Sequence, residues 1–292
     1  MKRANNERAQ IRVHKMHGAG NKILVADLRG VCWRPDAEWA RSLKGISDFA
    51  FDQLMTIEGP SHPGVDADVD IFNNDGSTAR ACGNGTRCVA DVLIREAGGS
   101  STVVATRAAI IVCERLESGA YRVDMGRPAF ESSQIPIAWD VPDTSSVRLA
   151  RSDGRDDGLG EAALASIGNP HAVFFVRDLS ATDVGALGPT YETHPIFPDR
   201  ANVSFVQVTG RDTMLLKVWE RGAGATLACG SGACATLVSA VRRGLADRKA
   251  TVSMPGGELT IEWREDDDHV LLSGPVEYER TAIVVVDDLG PL

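Results

Sequence analysis

Two cysteines, Cys82 and Cys229, lie in sequence contexts suited to acid–base chemistry. They are the second residues of the motifs Ala-Cys-Gly-Asn-Gly (81–85) and Ala-Cys-Gly-Ser-Gly (228–232). An apolar stretch of helical spacing follows each motif, so each cysteine precedes a first helical turn, where unpaired N–H groups and the dipole favour negative charge. The pattern therefore predicts a lowered pKa for both thiols. The glycines beside them leave the same N–H groups open to an anionic group of a ligand.

A pair of such thiols is suited to inverting a carbon centre that carries an acidic proton. One group removes the proton from one face, and the conjugate acid of the other returns a proton to the opposite face. Without an aldehyde cofactor as electron sink, fixed backbone dipoles around the carboxylate must stabilise the carbanion. We therefore interpret Cys82 and Cys229 as the two acid/base groups of an amino-acid epimerase that uses no cofactor, since no feature of the sequence requires pyridoxal phosphate.

The four cysteines of the two segments could instead form a zinc site. Within each segment the cysteines are six and five residues apart, which lacks the short C-x2-C spacing of structural zinc sites. No metal is therefore expected, and no phosphate-binding G-x-x-x-x-G-K-[ST] string occurs. The cysteines interpreted as small buried hydrophobic residues are Cys32, Cys88, Cys113 and Cys234.

The chain is predicted to be a duplication, because its landmarks recur at a nearly constant distance. Gly-Asn at 20–21 recurs at 168–169, the first cysteine motif recurs as the second, and Gly126 recurs as Gly274, at offsets of 148, 147 and 148 residues. A single glycine-rich turn can resemble another anywhere in a protein. Three landmarks in register favour duplication.

The repeat predicts an α/β (α+β) fold with two pseudo-symmetric domains. The N-terminal lobe comprises residues 1–125, carries Cys82 and is completed by residues 275–292. The C-terminal lobe comprises residues 126–274 and carries Cys229. Each lobe is expected to be a mixed, mostly antiparallel curved sheet wrapped around a central helix.

The local patterns support this architecture. The central helices are expected at 85–97 and at 233–243, and both are small and apolar on most sides, which is typical of a helix buried inside a curved sheet. A polar and acidic stretch at 140–161 is expected to be a mobile surface loop. Short β-branched or alternating runs between turn residues predict strands at 103–106, 109–113, 121–125, 250–254, 259–263 and 270–272.

Composition excludes several classes of partner. The chain has 292 residues, with 31 basic against 40 acidic residues and a net charge of −9. It shows no Lys/Arg cluster, which disfavours nucleic acid and an anionic membrane. A polar start without a signal peptide, and the lack of any run that could span a bilayer, predict a cytoplasmic protein. The expected partner is a small amino-acid substrate, and a homodimer is left open.

Several stretches together resemble one known family over almost the whole chain. The matching stretches are 15–21, 51–53, 72–77, 82–88, 168–171, 202–203, 220–224 and 228–234. The strings 72–77 through 82–88, and 220–224 through 228–234, are similar to the two signature segments of the diaminopimelate epimerase family. The resemblance implies interconversion of LL- and meso-2,6-diaminopimelate, on the route to lysine and peptidoglycan, without cofactor or metal.

The resemblance also implies roles for individual residues. The family's two catalytic cysteines correspond to Cys82 and Cys229, and a histidine and a glutamate that assist the thiols correspond to His171 and Glu220. Neutral amides and one fork-shaped arginine suit a substrate with an ammonium and a carboxylate at both ends. The implied substrate-binding side chains are Asn21, Gln53, Asn73, Asn169, Asn202, Glu220 and Arg221, with backbone donors at Gly83, Asn84, Gly230 and Ser231.

Three other functions fit parts of the pattern. A histidine or proline-type racemase would keep both cysteines but lose the amide and arginine set, which is intact here. An isomerase of the same architecture without the thiols, or a non-catalytic binding protein, would lack at least one acid/base group. Lys22 and Ile23 stand where the family commonly has Asp and Phe, and Ala225 where Glu is common. The alternative retained is a racemase of another amino acid with the same fold and mechanism.

Overall fold

The computed structural model describes residues 9–31, 33–44, 49–79, 82–151 and 158–286. The chain forms two compact units: the first lies within Met1–Val123 and Pro275–Leu292, and the second is Asp124–Gly274. The repeat placed this division two residues later, after residue 125. Cys32 and residues 152–157 of the expected loop lie outside the described residues.

The described residues contain eighteen strands and four helices. The helices are α1 Ala37–Lys44, α2 Gly83–Ala97, α3 Val184–Glu192 and α4 Gly230–Arg242. The strands are β1 Ala9–Gly18, β2 Asn21–Asp27, β3 Gln53–Glu58, β4 Ala67–Asn73, β5 Thr78–Ala79, β6 Ser101–Thr106, β7 Ile110–Arg115, β8 Tyr121–Asp124, β9 Val147–Arg148, β10 Glu161–Ser166, β11 Pro170–Phe175, β12 Asn202–Gly210, β13 Thr213–Glu220, β14 Gly224–Thr226, β15 Lys249–Met254, β16 Gly257–Trp263, β17 Val270–Gly274 and β18 Glu277–Val286.

The predicted fold class is confirmed, and each unit contains a mixed, mostly antiparallel sheet. In the first unit β2 pairs in parallel with β3 and β4 with β6, while β1–β2, β3–β4, β6–β7 and β1–β18 are antiparallel. In the second unit β11 pairs in parallel with β12 and β13 with β15, while β10–β11, β12–β13, β15–β16 and β16–β17 are antiparallel. The same alternation of pairings occurs twice, as the duplication predicts.

The two expected central helices are α2 and α4. Nearly all of the first three turns of each is buried, and each packs against at least five strands of its own unit. Both helices begin two or three residues earlier than expected, directly after the cysteines, because the glycines at positions 83 and 230 already adopt helical geometry. The helix α2 ends at Gly98, which has a left-handed φ of 70° and donates its N–H to Ile94 O.

The expectation of a surface loop at 140–161 is wrong in one part. Val147 and Leu149 are buried in the core of the second unit, and β9 pairs with β10. Their spacing of two residues places both side chains on one face of an extended segment, and this alternation outweighs the polar composition around them. Among the described residues, no helix is long and apolar enough to cross a bilayer.

Candidate active site

Cys82 is the N-terminal cap of α2. Its backbone is extended, with φ −151° and ψ 98°, and its Sγ accepts a hydrogen bond from the Gly85 N–H at 3.3 Å. The backbone N–H and the hydroxyl of Thr86 both donate to the Cys82 carbonyl at 2.8 Å. A sulfur in the place of a capping oxygen therefore faces the positive end of a buried helix.

Two of the expected amide side chains form a series that ends at this thiol. Cys82 Sγ lies 3.7 Å from Gln53 Oε1, to which it donates, and Gln53 Nε2 donates to Asn73 Oδ1 at 3.4 Å. Gln53 and Asn73 are opposite each other in the β3–β4 ladder, so the sheet itself holds them side by side. Asn73 Nδ2 donates in turn to Ser77 Oγ at 3.0 Å. The side chains of this series are all uncharged amides and hydroxyls.

Asn84 and Asn21 occupy different surroundings in the first unit. Asn84 lies in the first turn of α2, is 3 % exposed, and its Oδ1 has no hydrogen-bond partner among the described residues. An unsatisfied buried acceptor costs about 1–3 kcal/mol, so a donor from a bound ligand would relieve it. Asn21 opens β2 after a tight turn at Ala19 and Gly20, both of which have positive φ, and its amide donates to Asp52 at 3.2 Å. The structure thus places Asn21 beside Asp52, the residue that precedes Gln53.

Cys229 caps α4 in the same way as Cys82 caps α2. Its φ and ψ are −134° and 112°, and Gly232 donates its N–H to Cys229 Sγ at 3.4 Å. The Ser231 hydroxyl lies 3.6 Å from the sulfur, and the backbone N–H of Cys229 points at Met254 Sδ at 3.5 Å. Both predicted cysteines therefore stand at helix N-termini.

The pKa of the Cys229 thiol is raised well above its ordinary value, first by burial and next by the Glu220 carboxylate, to which the thiol donates. The hydrogen bonds from Ser231 and Gly232 oppose this shift but are smaller in effect. The expectation of a lowered pKa is therefore wrong for Cys229. Cys229 is 5 % exposed, and desolvation of a thiolate outweighs the helix N-terminus. Cys229 carries its proton at neutral pH.

Glu220 is held against the thiol by a short hairpin. It is the last residue of β13 and faces Gly224 in the β13–β14 ladder. The hydroxyl of Thr226 donates to Glu220 Oε1. Because the carboxylate is fixed from both strands, it is positioned to exchange a proton with the neighbouring thiol.

His171 and Asn169 are connected to Cys229 through Ser231. The His171 ring is fully buried, and its Nε2 lies 2.9 Å from Asn169 Oδ1. Asn169 Nδ2 donates to Ser231 Oγ at 3.3 Å. Burial, with a smaller contribution from the charge of Arg221, lowers the pKa of His171 to about 3. The ring is therefore neutral, and within this unit it reaches the thiol through Asn169 and Ser231.

Asn202 and Arg221 form a second group in the same unit. Asn202 is 4 % exposed; its Nδ2 donates to the Pro170 carbonyl at 3.2 Å, and its Oδ1 accepts the Arg221 N–H at 3.0 Å. The Arg221 guanidinium donates to the Asp199 carbonyl at 3.2 Å. Asn202 thus fixes the backbone that carries the arginine.

One buried carboxylate near the site gave no signal in the sequence. Glu192, the last residue of α3, accepts hydrogen bonds from Trp219 Nε1 at 2.6 Å, from the Gly222 N–H at 2.8 Å and from Arg200 Nη1 at 3.3 Å. Through Trp219 and Gly222, which flank residues 220–221, the Glu192 carboxylate holds the turn that carries Arg221. A lone glutamate at a helix end resembles any surface residue, so only the tertiary structure shows this role. Asp52, which accepts a hydrogen bond from Asn21, was not among the predicted site residues, although it directly precedes one of them, Gln53.

The remaining thiols that the structure describes are packing residues. Cys88, Cys113 and Cys234 are all fully buried, which confirms the sequence interpretation for these three. Desolvation raises the pKa of the Cys88 thiol far above its ordinary value. Within the described part of the chain, no cluster of three His, Cys, Asp or Glu side chains is placed to hold a metal ion.

Comparison with known proteins gives consistent matches along the chain. The family model described as diaminopimelate epimerase matches residues 13–131 and 163–279. A diaminopimelate epimerase from Methylocella silvestris is 48% identical over 265 residues, or 91% of each chain. The enzyme of the same name from Methylorubrum populi is 49% identical over 278 residues, covering 93% of this chain and 94% of the relative.

Solved structures share the fold at low sequence identity. A predicted epimerase from Pseudomonas aeruginosa aligns with a TM-score of 0.69 at 19% identity, covering 94% of this chain and 99% of the other. A hydroxyproline epimerase from Agrobacterium vitis, solved with trans-4-hydroxy-L-proline bound, aligns with a TM-score of 0.65 at 14% identity, covering 96% and 93%. At these identities the likeness concerns the fold alone.

Proposed function

The chain belongs to the diaminopimelate epimerase family, and from this premise we propose that it interconverts LL-2,6-diaminopimelate and meso-2,6-diaminopimelate. This assigns it to the isomerases, in the biosynthesis of lysine and of peptidoglycan precursors. The observation that carries the proposal is the pair of cysteines, each capping a buried helix of its own unit, in a chain with relatives of that name at 48% identity over 91% of its length.

The proposed reaction moves two protons and no net electrons. A thiolate takes the α-proton, so that the C–H bond breaks and its electron pair stays on Cα. The other thiol then gives its S–H proton to the opposite face, and a new C–H bond forms with inverted configuration. Cys229, which is protonated at neutral pH, serves as the acid when Cys82 is the base. After this turnover Cys82 carries the abstracted proton and Cys229 is a thiolate, which is the state in which Cys229 is the base and Cys82 the acid of the reverse reaction. Proton exchange of Cys82 with solvent, and of Cys229 with Glu220 and solvent, restores the starting state.

Backbone N–H groups at the two helix N-termini are proposed to stabilise the carbanion. Gly83 and Asn84 open α2, and Gly230 and Ser231 open α4. Their N–H groups have no intrahelical acceptor, so they can hold a carboxylate whose negative charge grows as the proton leaves. This is the role that a cofactor would otherwise have as electron sink.

Amide side chains, Glu220 and Arg221 are proposed to recognise the rest of the substrate. The amides suit ammonium and carboxylate groups alike because each offers both donors and an acceptor, and Arg221 adds a fork of donors for a second carboxylate. The residues proposed to bind substrate are Asn21, Gln53, Asn73, Asn169, Asn202, Glu220 and Arg221.

We further propose that the protein acts as a homodimer in the cytoplasm, where its thiols remain reduced. Among the described residues, the strand paired with β18 is β1. β18 exposes Tyr278, Ile283 and Val285 at 45%, 53% and 47%, and exposed apolar side chains along one strand favour association with another chain. Sedimentation equilibrium tests this: Ile283→Lys is expected to shift the protein toward monomer, and an unchanged mass would contradict this surface.

The proposed activity is tested by isotope incorporation. The purified protein is incubated with LL-diaminopimelate in deuterated water, and the product is separated by stereochemistry. Deuterium at Cα of the meso product is the expected result, because the returned proton comes from a thiol that exchanges with solvent. Absence of both inversion and α-exchange would overturn the proposal. Exchange into another amino acid, with none into diaminopimelate, would favour a racemase of the same mechanism.

A further inference from the structure

Hydrogen bonds connect His171 to Cys229 through Asn169 and Ser231, and we call these four residues the His171 relay. We infer that the relay has one fixed direction: the Nε2–H tautomer of His171 orients Asn169 so that the Ser231 hydroxyl donates to Cys229 Sγ. His171 is then a positioning residue for Cys229, and Ser231 contributes its side chain as well as its backbone. The inference rests on the proposed role of Cys229 as an acid/base group.

The donor and acceptor roles in the relay are set first by the buried ring of His171. Its Nδ1 is buried and has no hydrogen-bond partner in the described part of the structure, whereas Nε2 lies 2.9 Å from Asn169 Oδ1. A proton on Nδ1 would leave an N–H donor buried without an acceptor, which is rarer in proteins than an unsatisfied acceptor. The ring is neutral and carries a single proton because burial and Arg221 lower the pKa of His171 to about 3. That proton therefore belongs on Nε2, where it is donated to Asn169.

The orientation of the Asn169 amide then fixes the role of the Ser231 hydroxyl. With Asn169 Oδ1 accepting from the ring, the amide nitrogen faces Ser231 Oγ at 3.3 Å, and an amide nitrogen can only donate. Ser231 Oγ therefore accepts from Asn169 and keeps its own hydrogen for another partner. Cys229 Sγ at 3.6 Å is the acceptor within reach.

The relay gives the Cys229 sulfur a second donor beside the Gly232 N–H at 3.4 Å. Around the sulfur, β13 contributes the Glu220 carboxylate, which favours the thiol, and β15 contributes the uncharged Met254. Ser231 and Gly232 favour the thiolate. They therefore stabilise the anion that remains after Cys229 has given its proton to the substrate.

The relay is confined to the second unit. In the parallel β2–β3 ladder Ile23 pairs with Gln53, as His171 pairs with Asn202 in the β11–β12 ladder. The apolar side chain of Ile23 cannot donate. The residue two places after the first cysteine is Asn84, where the second unit has Ser231. In the first unit Ile23 and Asn84 occupy the positions of His171 and Ser231, and these side chains cannot form the same relay.

The first test reads the tautomer without any assay of activity. In nitrogen NMR spectra of protein labelled at histidine, the His171 signals are identified by their loss in His171→Gln. We expect a neutral ring protonated at Nε2 and unprotonated at Nδ1. A ring protonated at Nδ1, or at both nitrogens at neutral pH, would overturn the inference.

The second test reads the sulfur. In a Cys82→Ala background, the alkylation rate of the Cys229 peptide by iodoacetamide is followed by mass spectrometry over a pH series. Ser231→Ala is expected to raise the apparent pKa by about one unit and slow alkylation roughly tenfold at pH values below that pKa, since a hydrogen bond to a charged group is lost. Ser231→Thr keeps the hydroxyl and is expected to retain the parent rate.

Ser239→Ala is the matched control, because Ser239 is a buried serine of the same helix two turns away. It is expected to leave the rate unchanged. An equal rate in Ser231→Ala and Ser239→Ala would overturn the relay. Neither test needs substrate, so failure of the relay is distinguishable from failure of the proposed epimerase activity, which the deuterium assay detects.

Discussion

The two units repeat one backbone design but surround their cysteines with different side chains. In both, the cysteine caps a buried helix and accepts the N–H of the residue three places on, at 3.3 and 3.4 Å. Beside Cys82 stands the amide of Gln53, whereas beside Cys229 stands the carboxylate of Glu220. The two units therefore share the main-chain donor to the sulfur and differ in the side chain beside it.

The difference has a chemical consequence for a reaction that needs one acid and one base. Two equivalent thiols would share their protons equally and leave part of the enzyme with both groups in the same state. The carboxylate of Glu220 stands beside Cys229 and the amide of Gln53 beside Cys82, and Cys229 holds a proton at neutral pH. The asymmetry thus prepares one of the two required protonation states.

Removing either sulfur is expected to have the largest effect on activity. Cys82→Ala and Cys229→Ala are each expected to lower kcat about 10²–10⁴-fold, because each removes one of the two proposed proton carriers. Cys88→Ala and Cys234→Ala are the controls, since these thiols are fully buried within the helices, and most activity should remain. Turnover by Cys229→Ala near the parent rate would show that a single thiol suffices.

Making the second unit resemble the first is the next test. Glu220→Gln replaces the carboxylate beside Cys229 with an amide, like that beside Cys82, and so removes the largest cause of the raised pKa after burial. We expect the Cys229 peptide to be alkylated roughly tenfold faster at neutral pH, and epimerisation to fall about 10²-fold.

The control for this variant is Glu262→Gln, which removes a carboxylate of the same unit that pairs with Lys249. It is expected to change neither rate. If Glu220→Gln left the alkylation rate as it was, the carboxylate would not be the source of the asymmetry.

The features common to both units were accessible from sequence, and the features that distinguish them were not. Strand alternation, the two helices and the caps at Cys82 and Cys229 follow from local patterns that occur twice. The pKa of Cys229 depends on how deeply the sulfur is buried, which no local pattern reports. Likewise, the bonds of His171 and Glu192 depend on which side chains the sheet brings together. Val147 and Leu149 were missed because two apolar residues in a polar stretch give too short a period.

The neutral histidine of the second unit should appear in its stability. The unfolded chain binds a proton at His171 below its ordinary pKa of 6.5, but the folded chain does so only near 3. The free energy of unfolding therefore falls as the pH drops through this window, by about 1.4 kcal/mol per pH unit, or roughly 2–3 kcal/mol by about pH 4.5. Above pH 6.5 His171 is unprotonated in both the folded and the unfolded chain, so the free energy of unfolding is not reduced there.

Denaturant unfolding of the parent protein and of His171→Gln at neutral and acid pH measures this effect. The glutamine keeps an N–H donor but does not titrate, so its stability relative to the parent is expected to improve on acidification. A relative stability independent of pH would show that the ring is not held neutral.

The smallest expected effect concerns the glycine that follows each cysteine by three places. A Cβ at Gly85 would lie 2.5 Å from the sulfur of the fully buried Met55, whereas at Gly232 its nearest neighbours, Val218 and Cys229, are 3.3 Å away. Ser204, with its small side chain, is the third residue of β12 as Met55 is of β3. Gly85→Ala is therefore expected to lower the free energy of unfolding by about 1–3 kcal/mol. In Gly232→Ala the higher helix propensity of alanine, up to about 1 kcal/mol, offsets most of the crowding. Equal losses of the free energy of unfolding in the two variants would mean that the residue beneath the helix does not distinguish the units. Met55→Ala removes the obstructing sulfur and serves as the control background. In that background Gly85→Ala is expected to cost little compared with Met55→Ala alone.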